Sequence, residues 1–126
     1  MRAIDTNVLV RLITRDNPHQ AAAADAWAGM GAWVSMLALA ETVWVLSTVY
    51  GMKAASIASA VDMLLNHEDL TLQDPDVVSA ALELFLAKPR LGFSDCLMLH
   101  LAKKAGHLPL GTFDRNLAGV EGARKL

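Results

Sequence analysis

Apolar and polar positions change rhythm repeatedly along this chain. Short apolar runs alternate with stretches in which apolar residues return every three or four positions, the pattern of strands alternating with helices. The spacing predicts a strand over 2–5 and a helix over 6–13. Asp16-Asn17-Pro18 marks a helix start, with Pro18 tolerated in the first turn, leading into an alanine-rich helix over 20–30. A second strand is expected over 32–36 and a helix over 37–50, stopped by Gly51. Another helix covers Ala54–Asn66, with Ile57, Val61, Leu64 and Leu65 on its apolar face. A strand follows over 70–73. Asp74-Pro75-Asp76 then opens a helix reaching 88, on which Asp76, Ser79 and Glu83 share a polar side. The remainder reads as a helix over 94–105 ending at Gly106, a strand over 108–113, a helical turn over 115–120 and an edge strand in the tail, 123–126. This order predicts an α/β fold with a central, mainly parallel sheet flanked by helices.

Composition narrows the class. With 126 residues, the chain fits one domain spanning 1–126. Hydrophobic residues at 54% and charged residues at 19% argue for a compact core and against disorder. The longest charge-free stretch, 26–40, is too short to cross a bilayer and holds two glycines, so no membrane association is expected. The N-terminus lacks the features of a signal peptide. Cys96 stands alone and cannot form an internal disulfide, which points to the cytoplasm. A net charge of −2 is acidic for a nucleic-acid protein. If four acids are neutralised by a cation, however, the rest of the chain becomes net basic.

Most of the 13 acids have ordinary places. Asp16, Asp74 and Asp76 lie at helix starts, Asp25, Asp62 and Glu83 on exposed helix faces, and Glu68, Asp69 and Glu121 in turns. Four others sit inside apolar segments: Asp5, Glu41, Asp95 and Asp114. Glu41 has Leu37, Ala38, Trp44 and Val45 as helical neighbours, a face on which burying a carboxylate is costly unless it is paired. A place at the helix edge, or a buried Arg partner, would also explain it. Asp5, Asp95 and Asp114 each precede or open a helical segment, where carboxylates commonly cap free N–H groups. In an open α/β sheet, however, strand carboxyl ends and the following helix starts gather on one edge, where ligands bind. Four carboxylates converging there would need a cation. Oxygen ligands without clustered His or Cys select Mg²⁺ or Mn²⁺, and such an ion supports phosphodiester hydrolysis.

The run Ile4-Asp5-Thr6-Asn7-Val8-Leu9-Val10-Arg11, the pair Ala40-Glu41, and the stretch from Asp95-Cys96-Leu97 through Gly111-Thr112-Phe113-Asp114 resemble the PIN-domain ribonucleases. More narrowly, they resemble the VapC toxins of toxin–antitoxin pairs. The resemblance runs in order along essentially the whole chain. It implies that Asp5, Asp95 and Asp114 are metal ligands and that Glu41 binds through water or helps activate the nucleophile. Thr6, Asn7 and Thr112 match polar positions that orient acids or waters beside the pocket. It also implies a Mg²⁺-dependent endoribonuclease, with Mn²⁺ able to substitute, that hydrolyses RNA with a metal-activated water. A homodimer and a VapB-type antitoxin partner are implied as well. The alternative is a non-catalytic PIN-like module that binds RNA or protein.

Other residues carry less. Cys96 is expected to be a buried small hydrophobe rather than a nucleophile. His100 and His107 have no partner at metal-ligand spacing. Lys88, Arg90, Lys103, Lys104 and Arg115 are solvated charges or phosphate contacts, and Arg11 and Arg15 are equally open. Trp27, Trp33 and Trp44 are expected in the core or under a partner. A receiver domain would need a paired acid beside its first strand, and a haloacid-dehalogenase-like phosphatase would need Asp at position 7. The chain has Asn7 there, and it has no Gly-rich phosphate loop.

Overall fold

A computed structural model describes Met1–Leu126. The chain forms two compact units, Met1–Pro75 and Asp76–Leu126. The first contains β1 (Arg2–Ile4), α1 (Thr6–Thr14), α2 (Pro18–Ala28), β2 (Ala32–Val34), α3 (Met36–Thr48), α4 (Ala54–Asn66) and β3 (Leu70–Leu72). Its strands form a parallel sheet in the order β1-β2-β3. The register places Ile4 beside Val34 and Val34 beside Leu72. These three are buried and form the core face of the sheet, while Ala3, Trp33 and Thr71, on the alternate positions, are exposed.

Local chemistry sets the helix limits. Asn17 caps α2 by accepting from the Gln20 N–H, with Pro18 in the first turn, so the helix starts earlier than the alanine run alone suggests. Ser35 caps α3 in the same way through the Ala38 N–H, which ends β2 at Val34. Arg15 ends α1 in the left-handed region at φ 54°. The apolar face of α4 is buried through Ile57, Val61 and Leu64, as its spacing predicts. In α3, Leu39, Val43 and Leu46 face the core. Thr42, fully buried, donates to the Ala38 carbonyl and so leaves no orphaned hydroxyl.

The second unit contains α5 (starting at the boundary, Pro75–Ala87), α6 (Phe93–Ala105), β4 (Leu110–Thr112), α7 (Arg115–Ala118) and β5 (Ala123–Lys125). Val77, Val78, Ala81, Leu82 and Phe85 form the buried face of α5. Phe85 meets Phe93 of α6 edge to face, with centroids 5.7 Å apart. The tail pairs with β4 in parallel, Leu110 beside Ala123 and Thr112 beside Lys125. β4 begins later than the apolar run because Pro109 has no N–H to give a ladder. The α/β class and the parallel pairing agree with the sequence pattern. The strands form two ladders, of three and two strands.

Candidate active site

Asp5 follows β1 directly and is the N-cap of α1. Its Oδ1 accepts from the Val8 N–H at 3.3 Å, while Oδ2 has no protein partner. Capping therefore accounts for half of this carboxylate. Thr6, the first residue of α1, donates its hydroxyl to Glu41 Oε2 at 2.8 Å. That single bond carries Glu41 of α3 to the start of α1, one residue from Asp5. Glu41 Oε1 is left to solvent.

Glu41 is exposed, which agrees with a place at the helix edge and not with burial among its apolar neighbours. Leu37 and Trp44, one turn to either side, are themselves 70% and 62% exposed. The cost of burial therefore says nothing about Glu41. Its partner is a hydroxyl and not an Arg.

In the second unit, Asp114 is the N-cap of α7. Its Oδ1 accepts from the Leu117 N–H at 3.0 Å. The Asp114 N–H donates to Thr112 Oγ1 at 3.0 Å, so Thr112 fixes the backbone from which Asp114 projects. Asp95 differs from both. The N-cap of α6 is Gly92, and Asp95 lies in the first turn, half-buried, with no side-chain hydrogen bond or ion pair. Capping holds for Asp5 and Asp114 and fails for Asp95.

Neither unit by itself gathers three or more His, Cys, Asp or Glu side chains closely enough to hold a metal ion. Each unit separately offers carboxylate oxygens, the donor type that a hard divalent ion takes. Asp5 Oδ2, Glu41 Oε1, Asp114 Oδ2 and both Asp95 oxygens are carboxylate oxygens without protein partners.

Neighbouring groups take other roles. Cys96 is fully buried, and burial together with the adjacent Asp95 charge pushes its thiol up to about 11. It is therefore not a thiolate nucleophile at neutral pH. His100 is held below its ordinary value by burial and by Lys103, with Glu83 opposing. The open question over Arg11 and Arg15 resolves into protein contacts. Arg11 donates to Gln20, Asp16 and Tyr50, and Arg15 grips both oxygens of Asp25 at 3.0 and 2.6 Å. Lys104 pairs with Asp76 at 3.0 Å.

A cleft of about 420 Å³ opens between α1 and α2, lined by Asp5, Asn7 and Arg11 on one side and Gln20, Ala23 and Trp27 on the other. Asn7 is exposed there and its amide is free. Gln20 and Trp27 were not singled out as functional by the sequence. The signal was the spacing of Gln20, Ala23, Ala24 and Trp27, which puts two small residues between two larger ones on one helix face.

No curated protein and no solved structure matches the chain. The family model described as the PIN domain matches residues 3–123. The chain thus belongs to the PIN domain family, and its fold is that of a nuclease-type module.

Proposed function

We propose that this protein is a metal-dependent endoribonuclease and the toxin of a type II toxin–antitoxin pair. Asp5, Asp95 and Asp114 would hold a Mg²⁺ ion, replaceable by Mn²⁺, with Glu41 contributing through water. The observation that carries the reading is Asp95, a half-buried carboxylate with no structural partner in a chain whose family is nuclease-like. The Thr6–Glu41 bond beside Asp5 supports it.

When bound, the ion supplies a Lewis acid for the phosphodiester and a water of lowered pKa. The chain's own groups do the rest. Glu41 accepts the proton of the attacking water on Oε1 while Thr6 holds Oε2 in place. Asn7 orients the acids and waters beside Asp5, and Thr112 sets the direction of Asp114. Water attacks in line, leaving a 5′-phosphate and a 3′-hydroxyl. The neighbouring 2′-hydroxyl takes no part as nucleophile.

Partners follow from the same reading: an RNA substrate, a VapB-type antitoxin and a second copy of the chain, all in the cytoplasm. No helix is long and apolar enough to cross a membrane. Exposed Leu37 and Trp44 on α3 supply apolar surface for a protein partner to cover.

The test is cleavage of several RNA classes with Mg²⁺, with Mn²⁺ and with EDTA, beside Asp95→Asn. Cutting that needs the ion and disappears in the variant supports the enzyme. Products ending in 2′,3′-cyclic phosphate would overturn the mechanism. Metal-independent cutting, or full activity of Asp95→Asn, would overturn the site. RNA binding without cutting would favour the non-catalytic module.

A further inference from the structure

The cleft between α1 and α2 is adjacent to Asp5 and is built mostly from residues that the proposed chemistry does not use. We propose that it seats the base of an RNA nucleotide flanking the cleaved phosphodiester, with Trp27 as its apolar wall and the amides of Asn7 and Gln20 reading the base edge. The proposal rests on the nuclease reading above.

Its volume of about 420 Å³ lies within the roughly 300–1,000 Å³ usual for small-molecule clefts. The room comes from α2, where Ala23 and Ala24 face the opening and a larger residue would fill it. Trp27 is fixed before any ligand arrives. Its Nε1–H donates to the Ala3 carbonyl at 3.0 Å, and the Arg2 guanidinium lies 3.7 Å from the ring centroid. With Arg2 over one face, the ring's other face and its edge remain to meet a planar base.

The polar groups are placed for recognition. Gln20 Oε1 accepts from Arg11 Nε, which fixes the amide plane and leaves its NH₂ to donate. Asn7 presents an unpartnered amide from the opposite helix. Amide side chains are the neutral groups that pair two-fold with base edges. Charge selects a base over a phosphate. Arg11 is the only cation in the lining and is already paired with Asp16 at 3.1 Å, so the cleft offers no free charge to a phosphate, and Asp5 at its mouth leaves the phosphate to the ion. A neutral ring enters the cleft, and its phosphate stays outside with the acids.

The experiment uses the whole protein and Ala23→Leu, which adds bulk inside the cleft at an exposed helix position where helix propensity changes little. Metal-free protein is titrated with each nucleoside, which carries the base without a phosphate, and backbone amides are followed by NMR. The expected result is shifts at Asn7, Arg11, Gln20 and Ala23 that differ among the bases. In Ala23→Leu the affinity falls by about tenfold or more, as on losing a stacking site. In RNA cleavage the same variant raises KM and loses preference at one flanking position, with kcat retained. Gln20→Ala, which opens the cleft instead of filling it, is expected to relax base preference alone. Absence of shifts with every nucleoside overturns the proposal. So does unchanged KM and base preference in Ala23→Leu, which leaves the nuclease reading standing. If the wild-type protein cuts no RNA, the nuclease reading falls and takes the proposal with it.

Discussion

Asp5 has two roles that two substitutions can separate. Its Oδ1 caps α1, and its Oδ2 is assigned to the metal. Asp5→Ala removes both. Replacing a capping acid by Ala usually costs about 0.5–2 kcal/mol. Here the bond to the Val8 N–H is long, at 3.3 Å, and exposed, so the lower end applies, about 0.5–1 kcal/mol. For a domain of this size that is a fall of about 2–4 °C in Tm. Asp5→Asn keeps a cap of equal rank and is expected to melt with the wild type. Neither variant can supply the charged oxygen, so both lose RNA cleavage. The assay pairs thermal melting in EDTA, where no ion contributes to stability, with cleavage in Mg²⁺. Cleavage by Asp5→Asn at the wild-type rate would remove Asp5 from the site. Equal melting of the Ala and Asn variants would refute the contribution of the cap.

Three further outcomes follow from the geometry. Thr6→Val removes the hydroxyl that holds Glu41 and is expected to lower kcat roughly 10–100-fold, with Thr6→Ser restoring it; a wild-type rate for the valine variant would show that Glu41 needs no positioning. Cys96, buried and with its thiol up at about 11, should resist iodoacetamide in the native protein and react only after unfolding, and Cys96→Ala should still cut RNA; loss of cutting in a folded Cys96→Ala would assign the thiol a role in the site. His100 is lowered from 6.5, so its neutral form favours folding: that contribution is full above 6.5 and is lost as pH falls through the folded value. An NMR titration should place its midpoint below 6.5, and a midpoint above it would contradict the burial argument.

The elements were legible wherever local chemistry decides them. Periodic Ile57, Val61 and Leu64 fixed α4 to its observed bounds, and Asn17-Pro18 marked the start of α2. The tail was readable as a strand, although its partner lies in a different ladder from the first three strands. Whether Glu41 is buried or lies at a helix edge was left open by the sequence, because a local run of apolar residues does not reveal whether anything covers them. Leu37 and Trp44 face solvent, and so does the acid between them. The roles of Arg11 were illegible for a different reason: Tyr50 lies 39 residues away, and only the fold brings its hydroxyl to the guanidinium. Of the four acids, the sequence treated three as candidate caps. The backbone bears this out for Asp5 and Asp114, and it gives Asp95 no such duty.

The helices bordering the Asp5 cleft are fastened near one end by charge. Arg15 grips Asp25, and Arg11 joins Asp16 and Gln20, all at or near the surface. Such pairs are screened over about 8 Å at physiological ionic strength. The body of the α1–α2 hairpin is held differently, by the buried side chains of Leu9, Ala21, Ala24 and Ala28, on which added salt has little hold. The hairpin thus combines an ion-sensitive clasp with an ion-indifferent seat. Raising the salt concentration loosens the clasp and leaves the packed body of the two helices unchanged.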